Sequence, residues 1–151
     1  MKMLEEYLNQ FYREFNGSKI MVLSSSYQDK VSSRMMSIIQ MEGKFYFQTD
    51  KTFRKYNQLI QNPNVSLCIE NIQIEGSCVE LGKPSEYPKF CEVFKKMFEK
   101  SFLAYSHLEN ERLFEITPIR IERWIYKENT PFIEIFDLLE EKHLLIEYKG
   151  E

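Results

Sequence analysis

Two runs with strand character, residues 31–41 and 44–47, are separated only by Glu42-Gly43. A two-residue connection cannot carry the chain back across a sheet, as a parallel crossover must. It joins neighbouring strands in an antiparallel hairpin. Similar runs recur along the chain. Ile20-Met21-Val22-Leu23 is a short apolar strand that gives way to Ser24-Ser25-Ser26. Residues 65–74 and 77–81 read as strand on either side of Glu75-Gly76. Residues 113–126 alternate, Ile119 and Ile121 against Arg120 and Glu122, with an interruption near Pro118. Residues 132–136 and 143–148 add two short candidates.

Three helices fit between the strands. Leu4, Leu8, Phe11 and Phe15 share one face of a helix over residues 3–15, stopped by Asn16-Gly17. Residues 52–61 form a short helix with Thr52 as N-cap and Asn62-Pro63 as its end. A third begins at Ser85, has Pro88 in its first turn, and turns Phe90, Val93, Phe94, Met97 and Phe98 to one side. Residues 104–111 are polar and loop-like. The expected fold is mainly β (α+β): a six- to eight-stranded antiparallel barrel with peripheral helices, one domain over residues 1–151.

Charge narrows the partners. Twenty Lys and Arg against 23 Asp and Glu give a net charge of −3, without the excess needed to neutralise a nucleic-acid backbone. The apolar runs are far short of the roughly 20 residues that span a bilayer. The start, MKMLEEYLNQ, has two glutamates where a secretory signal is apolar, so the expected compartment is the cytoplasm. Cys68, Cys78 and Cys91 are odd in number and contain no CxxC, which favours neither a disulfide scaffold nor a zinc site. Aromatic residues make up 15% of the chain, a density that suits broad packed strand faces and flat ligands.

The familiar catalytic patterns are missing from the sequence. His107 and His143 are far apart and lack a nucleophile motif, and neither a dinucleotide fingerprint nor a Walker loop occurs. What remains is cationic. Arg34 sits in a strand rich in Ser and Met, and Arg54-Lys55 occupy the first turn of a helix. Cations there oppose the helix dipole, and a bound phosphate resolves the conflict.

Five segments, in this order, resemble the pyridoxamine 5'-phosphate oxidase-like flavoproteins, which are FMN-binding split β-barrels. They are Val31-Ser32-Ser33-Arg34-Met35-Met36-Ser37, Gly43-Lys44-Phe45-Tyr46-Phe47-Gln48-Thr49-Asp50, Arg54-Lys55, Asn62-Pro63 and Ile74-Glu75-Gly76. The likeness runs from about residue 19 to 84, with a weaker echo at 118–124. It implies a homodimer with two FMN sites at the subunit interface and FMN-dependent oxidation or reduction of a small molecule. The alternative it leaves open is a carrier or sensor for flavin, F420 or haem, with His107 or His143 as the iron ligand.

Residue by residue, the resemblance makes Arg34 the opening of the flavin-binding strand. It places Met35, Met36 and Ser37 along the isoalloxazine ring, and Gln48 and Thr49 at the end of the next strand. Arg54 and Lys55 hold the phosphate. Asn71 stands where many members have a flavin-directed glutamine, and Trp124 is reached across the dimer. Three departures limit the carry-over. Phe53 replaces a phosphate-binding serine, Ile39 replaces a lysine shared by flavin and substrate, and no vitamer-holding segment follows Trp124. FMN binding is therefore expected, and vitamin B6 phosphate oxidation is not.

Overall fold

The structure is a computed structural model that describes residues 2–150. Helix α1 (Lys2–Phe15) leads into strands β1 (Ser18–Tyr27), β2 (Lys30–Met41) and β3 (Lys44–Asp50). After α2 (Arg54–Gln61) come β4 (Asn64–Ile69) and β5 (Ile72–Gly82). A 3-10 turn over Pro84–Glu86, α3 (Pro88–Met97) and α4 (Glu99–Tyr105) precede β6 (Glu111–Lys127), β7 (Thr130–Asp137) and β8 (Lys142–Glu147). The strands lie in the order β3-β2-β1-β4-β5-β6-β7-β8, and β3 also pairs with β6. That extra pairing closes six strands into a barrel and leaves β7 and β8 as an extension. Every pairing is antiparallel.

The hairpins explain the topology. Glu42 and Gly43 both take left-handed φ, 51° and 79°, as a tight two-residue turn requires. Gln28-Asp29 and Glu128-Asn129 do the same without a glycine. Glu70-Asn71 also forms a turn, so the single strand expected over residues 65–74 is two strands folded on each other. β6 continues as one strand through Pro118, and the expected interruption is a bulge: Glu75 and Gly76 of β5 pair with Arg120 and Pro118, which leaves Ile119 of β6 as the extra residue.

Alternate residues fill the barrel: Met21, Leu23, Met36, Ile38, Phe45, Phe47, Leu67, Ile74, Phe114, Ile116 and Ile121 are buried together. α1 closes one end, where Phe11 and Phe15 meet Phe45 and Phe136. A second, smaller core lies outside the barrel wall. There Phe90 and Phe94 of α3 cover Ile39 and Leu113. The expected helix from Ser85 starts at Pro88 after the 3-10 turn, and part of the expected loop is α4.

Gly76 sets how closely β5 approaches β6. A Cβ at this position would lie 2.7 Å from Ile116 Cγ2 and 2.8 Å from the Thr117 carbonyl oxygen. Backbone cannot yield as a flexible side chain does, so Gly76→Ala is expected to destabilise the fold by about 1–3 kcal/mol. Chemical denaturation checks this, and an unchanged midpoint would refute the close-approach account.

Candidate functional site

β2 and β3 form a ladder of only three pairs: Ile39 with Tyr46, Gln40 with Phe45, and Met41 with Lys44. Beyond Ile39, β2 stays with β1, which it matches over ten pairs. β3 stays with β6 through Asp50, which faces Glu111. The two strands therefore part, and the β3-facing edge of β2 around Met35, Met36 and Ser37 is left unpaired. The gap is a cleft of about 180 Å³, lined by Met35, Met36, Ser37, Gln48 and Glu111 with Phe94, Ser101 and Tyr105 of α3 and α4.

α2 starts at the end of this gap. Phe53 takes the N-cap position, and no side chain caps the helix. Thr52, the expected N-cap, instead donates its N–H and hydroxyl to Asp50 Oδ1 at 2.8 and 2.7 Å. Phe53, which stands in place of a hydroxyl residue, offers its ring to Lys55 Nζ, 5.5 Å from the centroid. The first turn thus keeps free backbone donors next to Arg54 and Lys55.

The cations crowd one another. Arg34 Nη1 donates to Ser25 Oγ at 2.9 Å and to the Leu23 carbonyl at 3.2 Å, and Nη2 donates to Gln58 Oε1 at 2.9 Å. The guanidinium thus ties β1 and β2 to α2. Burial, then the positive charge of Arg54, lowers its pKa. Lys55 Nζ lies 3.5 Å from Met36 Sδ. Burial and then Arg34 lower its pKa, against the pull of Glu111. The Thr49 hydroxyl, near the end of β3, is buried with no hydrogen-bond partner. An uncapped helix start, two first-turn cations and an orphaned hydroxyl are features that a bound anion would satisfy.

Eight of the ten sequence-derived residues belong to the β2–β3 gap and the start of α2: Arg34, Met35, Met36, Ser37, Gln48, Thr49, Arg54 and Lys55. Asn71 and Trp124 do not. Asn71 Nδ2 donates to the Trp124 carbonyl at 2.6 Å, and both residues line a separate cleft with Cys68, Arg123 and Ile133. Trp124 is 42% exposed, with Tyr148 packed edge-on against it. Ile39 is fully buried under α3, so the position of the absent lysine belongs to the packing here. His143 Nε2 is paired with Glu134 Oε2 at 2.8 Å and its ring is stacked on Tyr7. His107 is exposed.

Sequence reasoning missed Glu111, which it placed at the edge of a loop. It opens β6 and is only 6% exposed. Burial, then Asp50 opposite, raises its pKa to about 7, against a hydrogen bond from Gln48 and the charge of Lys55. The signal was the β-strand alternation continuing back from Leu113, hidden by the polar residues before it.

A closed antiparallel barrel with a gap between two of its strands defines a split-barrel protein. The model of the family described as pyridoxamine 5'-phosphate oxidase matches residues 8–125, and the chain belongs to that family. Among solved structures the chain is similar to a pyridoxamine 5'-phosphate oxidase-related, FMN binding protein from Nostoc punctiforme (TM-score 0.63, 11% identity, 86% of each chain covered). It is similar to the heme storage protein HutZ from Vibrio cholerae (TM-score 0.61, 18% identity, 76% of this chain and 89% of that one). A third is PhzG from Burkholderia lata in complex with tetrahydrophenazine-1-carboxylic acid (TM-score 0.62, 14% identity, 99% and 91%). At these identities the likeness is one of fold. A comparison with curated proteins gave no match.

The raised pKa of Glu111 has a definite sign in stability. Between the ordinary carboxyl value of 4.5 and about 7, the folded chain holds a proton at Glu111 that the unfolded chain has lost. Glu111 therefore withdraws stability as pH rises through that window. Glu111→Gln is expected to be more stable than the wild type at pH 8 and to show a shallower decline from pH 4.5 to 7. Denaturant midpoints at those pH values test this. A variant less stable at pH 8 would show that the charged carboxylate is favoured where it lies.

Proposed function

We propose that this chain is an FMN-binding flavoprotein, working in the cytoplasm as a homodimer that oxidises or reduces a small molecule. One observation carries the reading: Arg54 and Lys55 open a helix that no side chain caps, and Lys55 reaches Met36 on an unpaired strand edge. The residues fit the cofactor. Arg54, Lys55 and the first-turn N–H groups of α2 would hold its phosphate, and Thr49 would donate to it. The free backbone edge at Met35, Met36 and Ser37 would run along the ring. Bound FMN supplies the electron-transfer chemistry, and the chain supplies binding and orientation.

In this reading Arg34 is a positioning residue. Its bonds to Ser25 and Gln58 hold α2, and with it Lys55, against β2. Asn71 and Trp124, away from the gap in their own chain, would serve the site of a second copy. Vitamin B6 phosphate is disfavoured as substrate, because Ile39 is packed under α3 and residues 130–147 form a β-hairpin after Trp124. The second reading is a carrier of flavin, F420 or haem, and the fold shared with a heme storage protein favours it. Within that reading His143 is committed to Glu134, which leaves His107 as the free imidazole among the described residues.

The visible spectrum of the purified protein separates these readings. Two flavin bands, with FMN released on heating, are expected. A colourless protein that takes up no added FMN overturns the reading, and a Soret band establishes haem. Turnover of NADH or NADPH with an acceptor distinguishes an enzyme from a carrier. Replacing Arg54 and Lys55 together by alanine removes two charge-assisted bonds of about 1.5–3 kcal/mol each, so FMN affinity should fall by about 100-fold or more. Unchanged affinity would remove the phosphate assignment. Light scattering should return a dimer, and a monomer that binds FMN fully would exclude a shared site.

A further inference from the structure

Glu111 is the acidic side chain that the flavin reading leaves without a task. It lines the cleft with Met35, Met36, Ser37 and Gln48. Its own strand holds it opposite Asp50, a like charge. Gln48 accepts from Ser106 Oγ at 2.7 Å through its amide oxygen, which turns its amide donor to Glu111. Arg34 of β2 lies outside the cleft lining and is bonded to Leu23, Ser25 and Gln58, and α4 brings Ser101 and Tyr105. Arg112, next along β6, spends Nη1 on the carbonyls of Glu109 and Glu111. Lys55 remains as the cation that supports the carboxylate, and it is also a residue placed to receive a phosphate.

We propose that Glu111 makes the cleft a proton-linked phosphate site: a phosphate ester that seats on Lys55 takes over the cation supporting Glu111, and the carboxylate picks up a proton. The inference rests on the FMN reading above. The physical steps are electrostatic. The incoming phosphate dianion neutralises Lys55 and adds negative charge beside a carboxylate already facing Asp50. Both changes disfavour the ionised form in a site largely closed to water. Linkage makes the effect reciprocal, so a protonated Glu111 strengthens phosphate binding by the factor with which phosphate strengthens proton binding. The cofactor would then be held more tightly in mildly acid solution than in alkaline solution.

Calorimetric titration of cofactor-free protein with FMN tests this. It is run at pH 7.5 in two non-phosphate buffers of different ionisation enthalpy, then from pH 7 to 9. The FMN phosphate ionises near pH 6, so it is already a dianion and takes up no proton itself. Net uptake of part of a proton is expected at pH 7.5, with affinity falling by up to about tenfold per pH unit above 7. Glu111→Gln should bind FMN without the uptake and with a flat profile. Riboflavin, which has the ring and no phosphate, should show no uptake in either protein. FMN binding without proton uptake in the wild type overturns the inference and leaves the flavin reading standing. Uptake that survives in Glu111→Gln also overturns it, by assigning the proton to Lys55. No FMN binding at any pH overturns the flavin reading and this inference with it.

Discussion

β3 has two edges and two partners, and it serves them unequally. One edge follows β6 over six pairs, while the other follows β2 over three. Strand twist accumulates along a sheet, so a strand joined to two diverging neighbours must release one of them. β2 is released because β1 holds it along almost its whole length. Met35, Met36 and Ser37 owe their open edge to that release. Gln48 and Glu111 face the gap because β3 and β6 remain together where β2 departs.

Two charged clusters in the same fold show what the release does electrostatically. Arg123 is bonded to Glu134 at 2.6 Å and to Glu14 at 2.6 Å, and Glu134 also takes His143. Each charge there has its counterpart, and the cluster fastens α1 to β6 and β7. The cluster at the gap is open. Arg34 feels the charge of Arg54, and Lys55 that of Arg34, with only Glu111 opposing it. Glu111, the carboxylate that pulls on Lys55, has its own pKa pushed up to about 7 by burial and by Asp50. A closed network belongs to the architecture, and an open one waits for something to complete it.

The barrel was legible in the sequence because its connections are short and its strands alternate. The Glu42-Gly43 turn declared itself through glycine. Glu70-Asn71 did not, since Glu70 takes a φ of 50° with no glycine to announce it, and two strands read as one. Thr52 looked like a cap by residue type, and Asp50 claimed its hydroxyl instead. Most of the site was legible from motif order, because a resemblance carries residue types forward in sequence. Glu111 was not, because the polar residues before it masked the alternation that runs back from Leu113, and its place in the cleft depends on β3 and β6 pairing across the chain. Asn71 and Trp124 were assigned to the flavin site by the resemblance, but within this chain they lie away from the gap, and their pairing through the Trp124 carbonyl emerged only in three dimensions.

Closing the barrel has a kinetic side. The last seam joins β3 to β6, and along it Lys44 and Glu115 meet although they stand 71 positions apart in the chain. Hairpins such as β1–β2 and β4–β5 can form within microseconds from local contacts, but a seam of such sequence separation pays its loop entropy before any pairing rewards it. Until β6 arrives, one edge of β3 is bare and Phe45 and Phe47 lack their cover. Folding of this chain is therefore paced by an encounter between its first third and its last, and a nascent chain stalled before residue 111 would present an unfinished sheet to whatever lies near it.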